Sequence, residues 1–509
     1  MPKILTTEQM GLAEKSSEKY GVSLSELMDN AALSLSHEIT KIAYKGNLIN
    51  VLLLVGNGNN GGDGLVCANI LLSNSLNVRI ILAQGNPKSD LAKAAMSRLD
   101  KSAEIVSSRD TAAQSKWADI IVDAVFGTGF HGSLPDEIKS LFKVVSQSKA
   151  IKIACDLPSG VNAKNGHVSD GAAKCDFTVC FHALKVGLLL SPAKDFCGEI
   201  ITCDIGIPKQ AEAFEFEIKK LDTAMVKLLL PPRPDNAHKG TFGKLLCVCG
   251  CSGYRGAAAI STLAALRTGV GLVNLCSVEE VIAPLSSSIF EATYTRLDSD
   301  ENGFISCDNA EKIIELSRDS SAILLGCGLG KNAHTVSLVM EIIEHAEIPI
   351  ILDADGINCL CENINVLKNT KAKIILTPHP AEFSRLLGIS VSEFLENRFD
   401  YVKQFSDEYN VTVLSKSTQS IAVSPDCEKI YLSDVGNSAL SKGGSGDLLA
   451  GMTASFVAQG SEPILACAIG QFILGRSAEQ LSQSMSKRSV IAQDILDVLP
   501  FVLKEIEDF

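Results

Sequence analysis

Short apolar, β-rich runs alternate with longer amphipathic segments along both halves of this chain. That alternation constrains the fold more than any other feature. In the first half the runs are Ile49–Val55, Val78–Leu82, Ile120–Ala124, Ile151–Asp156, Phe177–Phe181 and Ile200–Asp204. The second half repeats them with Lys244–Val248, Gly271–Cys276, Ala322–Gly326, Ile348–Asp353, Ile374–Thr377 and Val411–Ser415. Their near-continuous apolar character predicts strands buried on both faces. The expected fold class is therefore α/β, with helices on both sides of mostly parallel sheets.

At 509 residues the chain exceeds one typical domain. Between the halves, LLLPPRPDNAHKG (Leu228–Gly240) sets three prolines among polar residues. Its start marks the beginning of a second domain, and the boundary itself is expected slightly upstream, within Pro208–Leu221. The expected domains are residues 1–212 and 213–509.

Composition removes several function classes. A net charge of −13, with no clustered Lys and Arg, argues against a nucleic-acid partner. No apolar run approaches a membrane span, and no apolar stretch follows Met1 as a signal peptide would require. The sixteen cysteines include no C-x-x-C pair. Cys247, Cys249 and Cys251 alternate along one strand and read as small buried hydrophobes rather than as metal ligands. A cytoplasmic protein with reduced thiols is expected.

Open α/β sheets bind ligands at the carboxyl ends of their strands. The first such end reads LLVGNGNNGGDGL (Leu53–Leu65) and satisfies G-x-G-x-x-G literally. A dinucleotide fold would also place an acid after the second strand, yet Val78–Leu82 runs into Ala83-Gln84-Gly85. Asn59, Asn60 and Asp63 add polar side chains that a plain phosphate turn does not need. Two more strand ends carry aspartates: Asp123, followed by a glycine-rich loop, and Asp156, followed by Ser159. Three such loops on one sheet edge point to a site.

In the second half, Gly443–Gly460 (GGSGDLLAGMTASFVAQG) sets glycines, Ser445 and Asp447 before an apolar run of helical period. Free N–H groups at that helix start can form an anion hole. Asp447 reads either as a base beside it or as an N-cap. There is no Walker A motif; LGCGLGKNAHT is the nearest miss.

GNGNNGGDG, DAVFGTGFHG, CDLPSGVNA and KVGLLLSPAKDFCGEIITCDIGIP together resemble the NAD(P)H-hydrate epimerase domain. The resemblance implies a Rossmann-like domain that interconverts the R and S hydrates of NADH and NADPH. It implies that Asn59, Asn60, Gly61, Gly62 and Asp63 surround the hydrate, with Gly127, Thr128, Gly129, Phe130, His131, Gly132, Ser133 and Asp156. Asp156 would be the acid–base residue, and Asn60, Asp123 and Ser159 would hold a potassium ion. Oxygen donors of these kinds suit a hard cation.

NAHKGTFGKLLCVCG, GYRGAAAISTLAALRTGVGLV, LLGCGLG, ILDADGIN, LTPHPAEFSRLLG and GGSGDLLAG resemble the ribokinase-like, ADP- or ATP-dependent NAD(P)H-hydrate dehydratases. Carried over, Ala257, Gly328, His379 and Asp447 would contact the hydrate. Lys416, Ser417, Thr418, Gln419, Ser420 and Gly446 would contact the adenine nucleotide, which brings Mg2+ with it. His379 reads alternatively as the cap of a helix through Glu382. The chain departs from the family at Ser417, Cys327 and Leu474, where glycine, proline and histidine are usual. Ser417 would strain its turn if its φ were positive.

The resemblance implies a fused repair enzyme with hydrated NADH or NADPH and ADP or ATP as ligands, self-associating as a homo-oligomer. One alternative keeps the folds but makes the second domain a small-molecule kinase beside a non-catalytic binding domain.

Overall fold

The structure is a computed structural model that describes residues Lys3–Phe509. The chain divides into two compact units between Glu215 and Phe216, a few residues beyond the expected boundary.

The first unit is built on seven parallel strands: β1 (Asn50–Val55), β2 (Asn77–Leu82), β3 (Glu104–Val106), β4 (Ile120–Ala124), β5 (Ile151–Cys155), β6 (Phe177–Phe181) and β7 (Glu199–Cys203). Their order is β3-β2-β1-β4-β5-β6-β7. The apolar runs explain the layering, because successive side chains point to opposite faces. Val51, Leu53 and Val55 pack under α1 (Leu24–Gly46) and α2 (Asn59–Ser73), through Leu35, Ile39, Leu65 and Leu71. Leu52 and Leu54 pack on the other face with Ile138, Leu141 and Phe142 of the helix Asp136–Val145. Both faces are dry, which is why the strands show no polar alternation.

The second unit orders its strands β11-β10-β9-β12-β13-β14-β15-β16-β17-β8. Here β8 is Glu217–Lys220, β9 Lys244–Val248, β10 Leu272–Ser277, β11 Thr293–Arg296 and β12 Ala322–Leu325. The others are β13 (Ile350–Leu352), β14 (Ile374–Leu376), β15 (Thr412–Ser415), β16 (Ser420–Val423) and β17 (Lys429–Ser433). Strands β9 to β15 are parallel, while β16 pairs antiparallel with both β15 and β17. Helix α3 (Arg255–Arg267) crosses α4 (Ser445–Ala458) closely, since a Cβ at Gly451 would lie 2.3 Å from the Ser261 carbonyl oxygen. Every residue from Leu448 to Ala458 is buried, so this helix is the centre of the unit's core.

Both sheets contain a point where the chain reverses its direction of travel across the strands, between β1 and β4 and between β9 and β12. Such points open a crevice at the carboxyl ends of the strands. No helix among the described residues is long and apolar enough to cross a membrane.

Candidate active sites

The first crevice is shaped by glycine contacts. A Cβ at Gly56 would sit 1.9 Å from the Val125 carbonyl oxygen, and one at Gly61 would sit 2.1 Å from that of Gly56. Only hydrogen fits at either position, so the turn lies flat across the end of β4 and α2 starts at the sheet edge. The N-cap of α2 is Gly58, which offers no side-chain acceptor. The first N–H groups of the helix are therefore free to meet a ligand. Gly56→Ala is expected to lower the stability of this unit by about 1–3 kcal/mol, read from its denaturant midpoint.

Beside this turn, Asp123 is almost wholly buried. Its carboxylate accepts from the Ser159 hydroxyl at 2.6 Å, the Ser159 N–H at 2.7 Å and the Val125 N–H at 3.2 Å. The Ser159 oxygen accepts the Phe126 N–H at 2.8 Å, and the Asn60 amide donates to the Phe126 carbonyl at 2.9 Å. Asn60, Asp123 and Ser159 thus converge on one backbone turn. Burial pushes the Asp123 carboxyl up to about 6, against the hydrogen bonds from Ser159 and Val125. No cationic side chain forms an ion pair with it among the described residues. A buried carboxylate with hard oxygen neighbours and no ammonium partner fits a bound monovalent cation.

Asp156 directly follows β5 with φ +67, the left-handed region that few non-glycine residues enter. Its N–H is held by the Val179 carbonyl at 2.9 Å. Its Oδ1 accepts the Phe181 N–H at 3.2 Å and the Lys185 ammonium at 2.5 Å. Lys185 has no solvent exposure and donates a second bond to the Phe181 carbonyl at 3.0 Å. Burial disfavours its charge, but the Asp156 carboxylate outweighs that and raises its pKa. Lys185 has no role in the sequence reading, yet a lone lysine inside Leu184–Leu190 (LKVGLLL) was the signal for it.

The cavity between these groups has a volume of about 590 Å³, large enough for a small-molecule ligand. Asn59, Asn60, Asp63, Gly127, Thr128, Gly129, Phe130 and Asp156 line it as expected, joined by Glu14, Gln84 and Lys185. Gln84 stands where a dinucleotide fold keeps an acid, and it accepts the Asn57 N–H at 3.3 Å. Gly61 and Gly62 lie beneath the wall instead of lining it; a Cβ at Gly62 would strike the Met28 methyl at 2.6 Å. His131, Gly132 and Ser133 are exposed further along the loop and do not line the cavity.

The second crevice collects residues from six elements. Paired registers bring the ends of β12, β13 and β14 level. Gly326 (φ +130) and Gly328 (φ +67) make the turn after β12. A Cβ at Gly328 would meet that of Ala257 at 2.7 Å, so these two expected residues are neighbours. Asp353, which follows β13, is 1% exposed; its Oδ1 accepts the Thr377 hydroxyl at 2.7 Å and pairs with the Lys416 ammonium. The Cys327 thiol, Asp353 and Asp447 place one donor atom each within 4.8 Å of one another. Gly446 completes the wall, since its Cβ would lie 3.4 Å from Lys416 Nζ and 3.6 Å from Asp353 Oδ2.

Asp447 is not an N-cap. The cap of α4 is Gly444, at φ +94 and without a side-chain bond, and Asp447 is the third helical residue. Burial and the nearby Asp353 carboxylate push its carboxyl up to about 6, against the Cys327 thiol and the Lys416 ammonium.

The remaining expected residues divide between ligand-facing and supporting positions. His379 is the N-cap of the helix Pro380–Leu387: its Nδ1 accepts the Ala381 and Glu382 N–H groups, and its Nε2 lies 3.1 Å from Glu382 Oε1. Capping is therefore the role its geometry displays. Lys416 is turned toward Asp353. Ser417, Gln419 and Ser420 spend polar groups on one another, and the buried Arg398 donates to Ser417 and to the Gln419 carbonyl. The Thr418 hydroxyl donates to the Gln419 side chain at 3.2 Å. Ser417 is absent from the residues with positive φ, so serine brings no strain there. Leu474 is buried in the core of the helix Pro463–Ser484.

Two family models match this chain. Residues 24–187 match one described as YjeF-related protein N-terminus, and residues 245–501 one described as NAD(P)H-hydrate dehydratase. A bifunctional NAD(P)H-hydrate repair enzyme of Moorella thermoacetica is 31% identical over 99% of this chain and 97% of its own length. The chain belongs to the bifunctional NAD(P)H-hydrate repair enzymes.

The member from Escherichia coli is 31% identical over 96% of this chain and 91% of its own. Among solved structures, a hypothetical protein of Streptococcus mutans is 29% identical, covering 57% of this chain and all of its own, with a TM-score of 0.50. The repair-enzyme assignment places an epimerase domain in the first unit and a ribokinase-like dehydratase domain in the second. Each unit carries one of the two crevices.

Proposed function

We propose that the first crevice interconverts the R and S hydrates of NADH and NADPH with Asp156 as proton acceptor and donor, and that the second dehydrates the S hydrate with Asp447 as base. The observation that carries the second assignment is a half-buried carboxylate in the first turn of a helix whose N-terminus has no side-chain cap. Asp447 takes the proton of the C6 hydroxyl, whose oxygen attacks the terminal phosphoryl group of ADP or ATP. The bond to the departing nucleotide breaks, giving AMP or ADP. The C6–phosphate bond then breaks as the N1 lone pair moves in, and loss of a proton from C5 restores the dihydronicotinamide. Hydroxide has become phosphate, a far better leaving group.

The N–H groups of Gly444 and Gly446 at this helix start would stabilise charge on the transferring phosphoryl group. Mg2+ accompanying the nucleotide would supply further charge neutralisation and would be held by Asp353, whose Oδ2 faces neither Lys416 nor Thr377. Dehydration is favoured over the kinase alternative because Asp156, Asn60, Asp123 and Ser159 are assembled in the first unit, which the kinase reading leaves without a task. The test is one mixture of both hydrates with ADP or ATP, followed by dihydronicotinamide absorbance. Complete conversion supports both activities; a stop near half supports dehydration alone.

Potassium is proposed at Asn60, Asp123 and Ser159, supported by the buried Asp123 carboxylate, which has no cationic side-chain partner among the described residues. Epimerisation is expected to rise with K+ over Li+ at constant ionic strength, and Asp123→Asn is expected to erase that dependence. Sixteen free thiols support a cytoplasmic setting. Self-association rests on the family resemblance, and sedimentation velocity reads it directly.

A further inference from the structure

C6 of the hydrate carries both a hydroxyl and N1, and one route to its inversion breaks the C–O bond and forms it again on the opposite face of the ring. Hydroxide leaves poorly, so a proton must reach the departing oxygen. The incoming water must lose one on the other side. On this route two groups, one beside each face, divide the work.

The cavity of the first unit holds four side chains able to exchange protons: Glu14, Asp63, Asp156 and Lys185. Lys185 is committed to Asp156 and the Phe181 carbonyl. Asp63 lies in the second turn of α2 and lines the cavity, yet makes no hydrogen bond or ion pair among the described residues.

We propose that Asp63 is the second catalytic residue of epimerisation, protonating the hydroxyl that leaves C6 while Asp156 receives the proton of the water that adds to the other face. The proposal rests on the epimerase reading of this crevice. The N1 lone pair forms the C6=N1 bond as water departs, and water then attacks C6 from the side of Asp156. After one inversion Asp63 is ionised and Asp156 protonated, so the site is set for the opposite epimer with the roles exchanged. Protons and electrons balance without any further reactant.

The surroundings of Asp63 suit a carboxyl that carries a proton. Burial comes first, then the carboxylates of Asp156 and Glu14, and together they hold it well above the usual range against the single Lys185 ammonium. The thiols that face it, Cys67 and Cys155, are themselves pushed up by burial and stay uncharged. Asp123 and its partner Ser159 lie beyond Cys155. Glu14, from the helix Thr7–Ser17, is also raised by burial and by Asp156, but less, and is half-buried. It is the group through which the pair exchanges protons with solvent.

The experiment uses the full chain with the R hydrate in oxygen-18 water, following epimer ratio by chromatography and label by mass spectrometry. The wild type is expected to take up one labelled oxygen per inversion and to lose rate on the alkaline side, where Asp63 ionises. Asp63→Asn is expected to lose inversion and label uptake together, by about a hundred-fold or more, with no alkaline limb in what remains. Glu14→Gln is expected to cost about tenfold or less. Dehydration of the pure S hydrate by the same preparations reports that the chain is folded. Inversion with retention of oxygen in the wild type overturns the proposal, whatever the variants do. So does an Asp63→Asn enzyme within a few-fold of wild type. If Asp156→Asn also inverts normally, the epimerase reading falls with it; if only Asp63→Asn does, that reading stands.

Discussion

Asp447→Asn is expected to cut dehydration of the S hydrate by about two to four orders of magnitude while ADP and ATP still bind. An amide cannot accept the hydroxyl proton, whereas the N–H groups of Gly444 and Gly446, proposed to meet the phosphates, are untouched. Removing a carboxylate close to Asp353 also lowers the negative charge that a nucleotide meets, so calorimetry is expected to find equal or tighter binding. The wild-type rate carries a second signature. A base must be ionised to act, and burial holds Asp447 at about 6, so dehydration is expected to fall about tenfold per pH unit below that point. The linkage to stability has the opposite sense. A carboxyl raised in the folded state contributes stability that is fully present below its unfolded value and is lost as pH rises through about 6. The asparagine variant is accordingly expected to melt higher than wild type at alkaline pH. Near-normal turnover in the variant would remove Asp447 from the reaction.

Asp156→Asn is expected to reduce epimerisation by about a hundred- to ten-thousand-fold and to leave turnover of pure S hydrate close to wild type. Asparagine enters the left-handed region as readily as aspartate does, so the backbone at φ +67 survives. What changes is the partner of the fully buried Lys185, now an amide. The variant should therefore bind hydrate but neither accept nor return a proton. Rates measured separately on each epimer decide the matter. Equal loss of both activities in a folded variant would contradict two separate sites.

The strands were legible wherever they were buried on both faces. All twelve expected runs form strands to within two residues at each end, because long apolar stretches leave few other ways to be satisfied. The short edge strand Glu104–Val106, the polar Thr293–Arg296 and the antiparallel pair Ser420–Val423 and Lys429–Ser433 were not read. Their pairing is a property of the neighbours rather than of their own composition.

The sites show the same division. Motif residues such as Asn60, Asp123, Asp156 and Asp447 announced themselves by type and position at strand and helix ends. Their partners Lys185, Asp353 and Arg398 did not, because each becomes meaningful only beside a residue tens of positions away. His379 keeps both of its readings. The resemblance implies a hydrate contact and the alternative is a helix cap; its Nδ1 accepts N–H groups of its own helix while about half of the side chain stays exposed.

The left-handed backbone at Asp156 also bears on how this chain can change over generations. A non-glycine residue there costs about 1–2 kcal/mol, and the interactions of Lys185, Phe181 and Val179 offset it. Glycine at 156, together with an apolar residue in place of Lys185, would relax the backbone and remove a buried charge. Lineages pressed toward thermal robustness, or freed from the need to epimerise, therefore have a downhill route away from this chemistry, starting from two positions. On the proposed role of Asp156, the Asp156–Lys185 pair is a feature that stability alone would not favour.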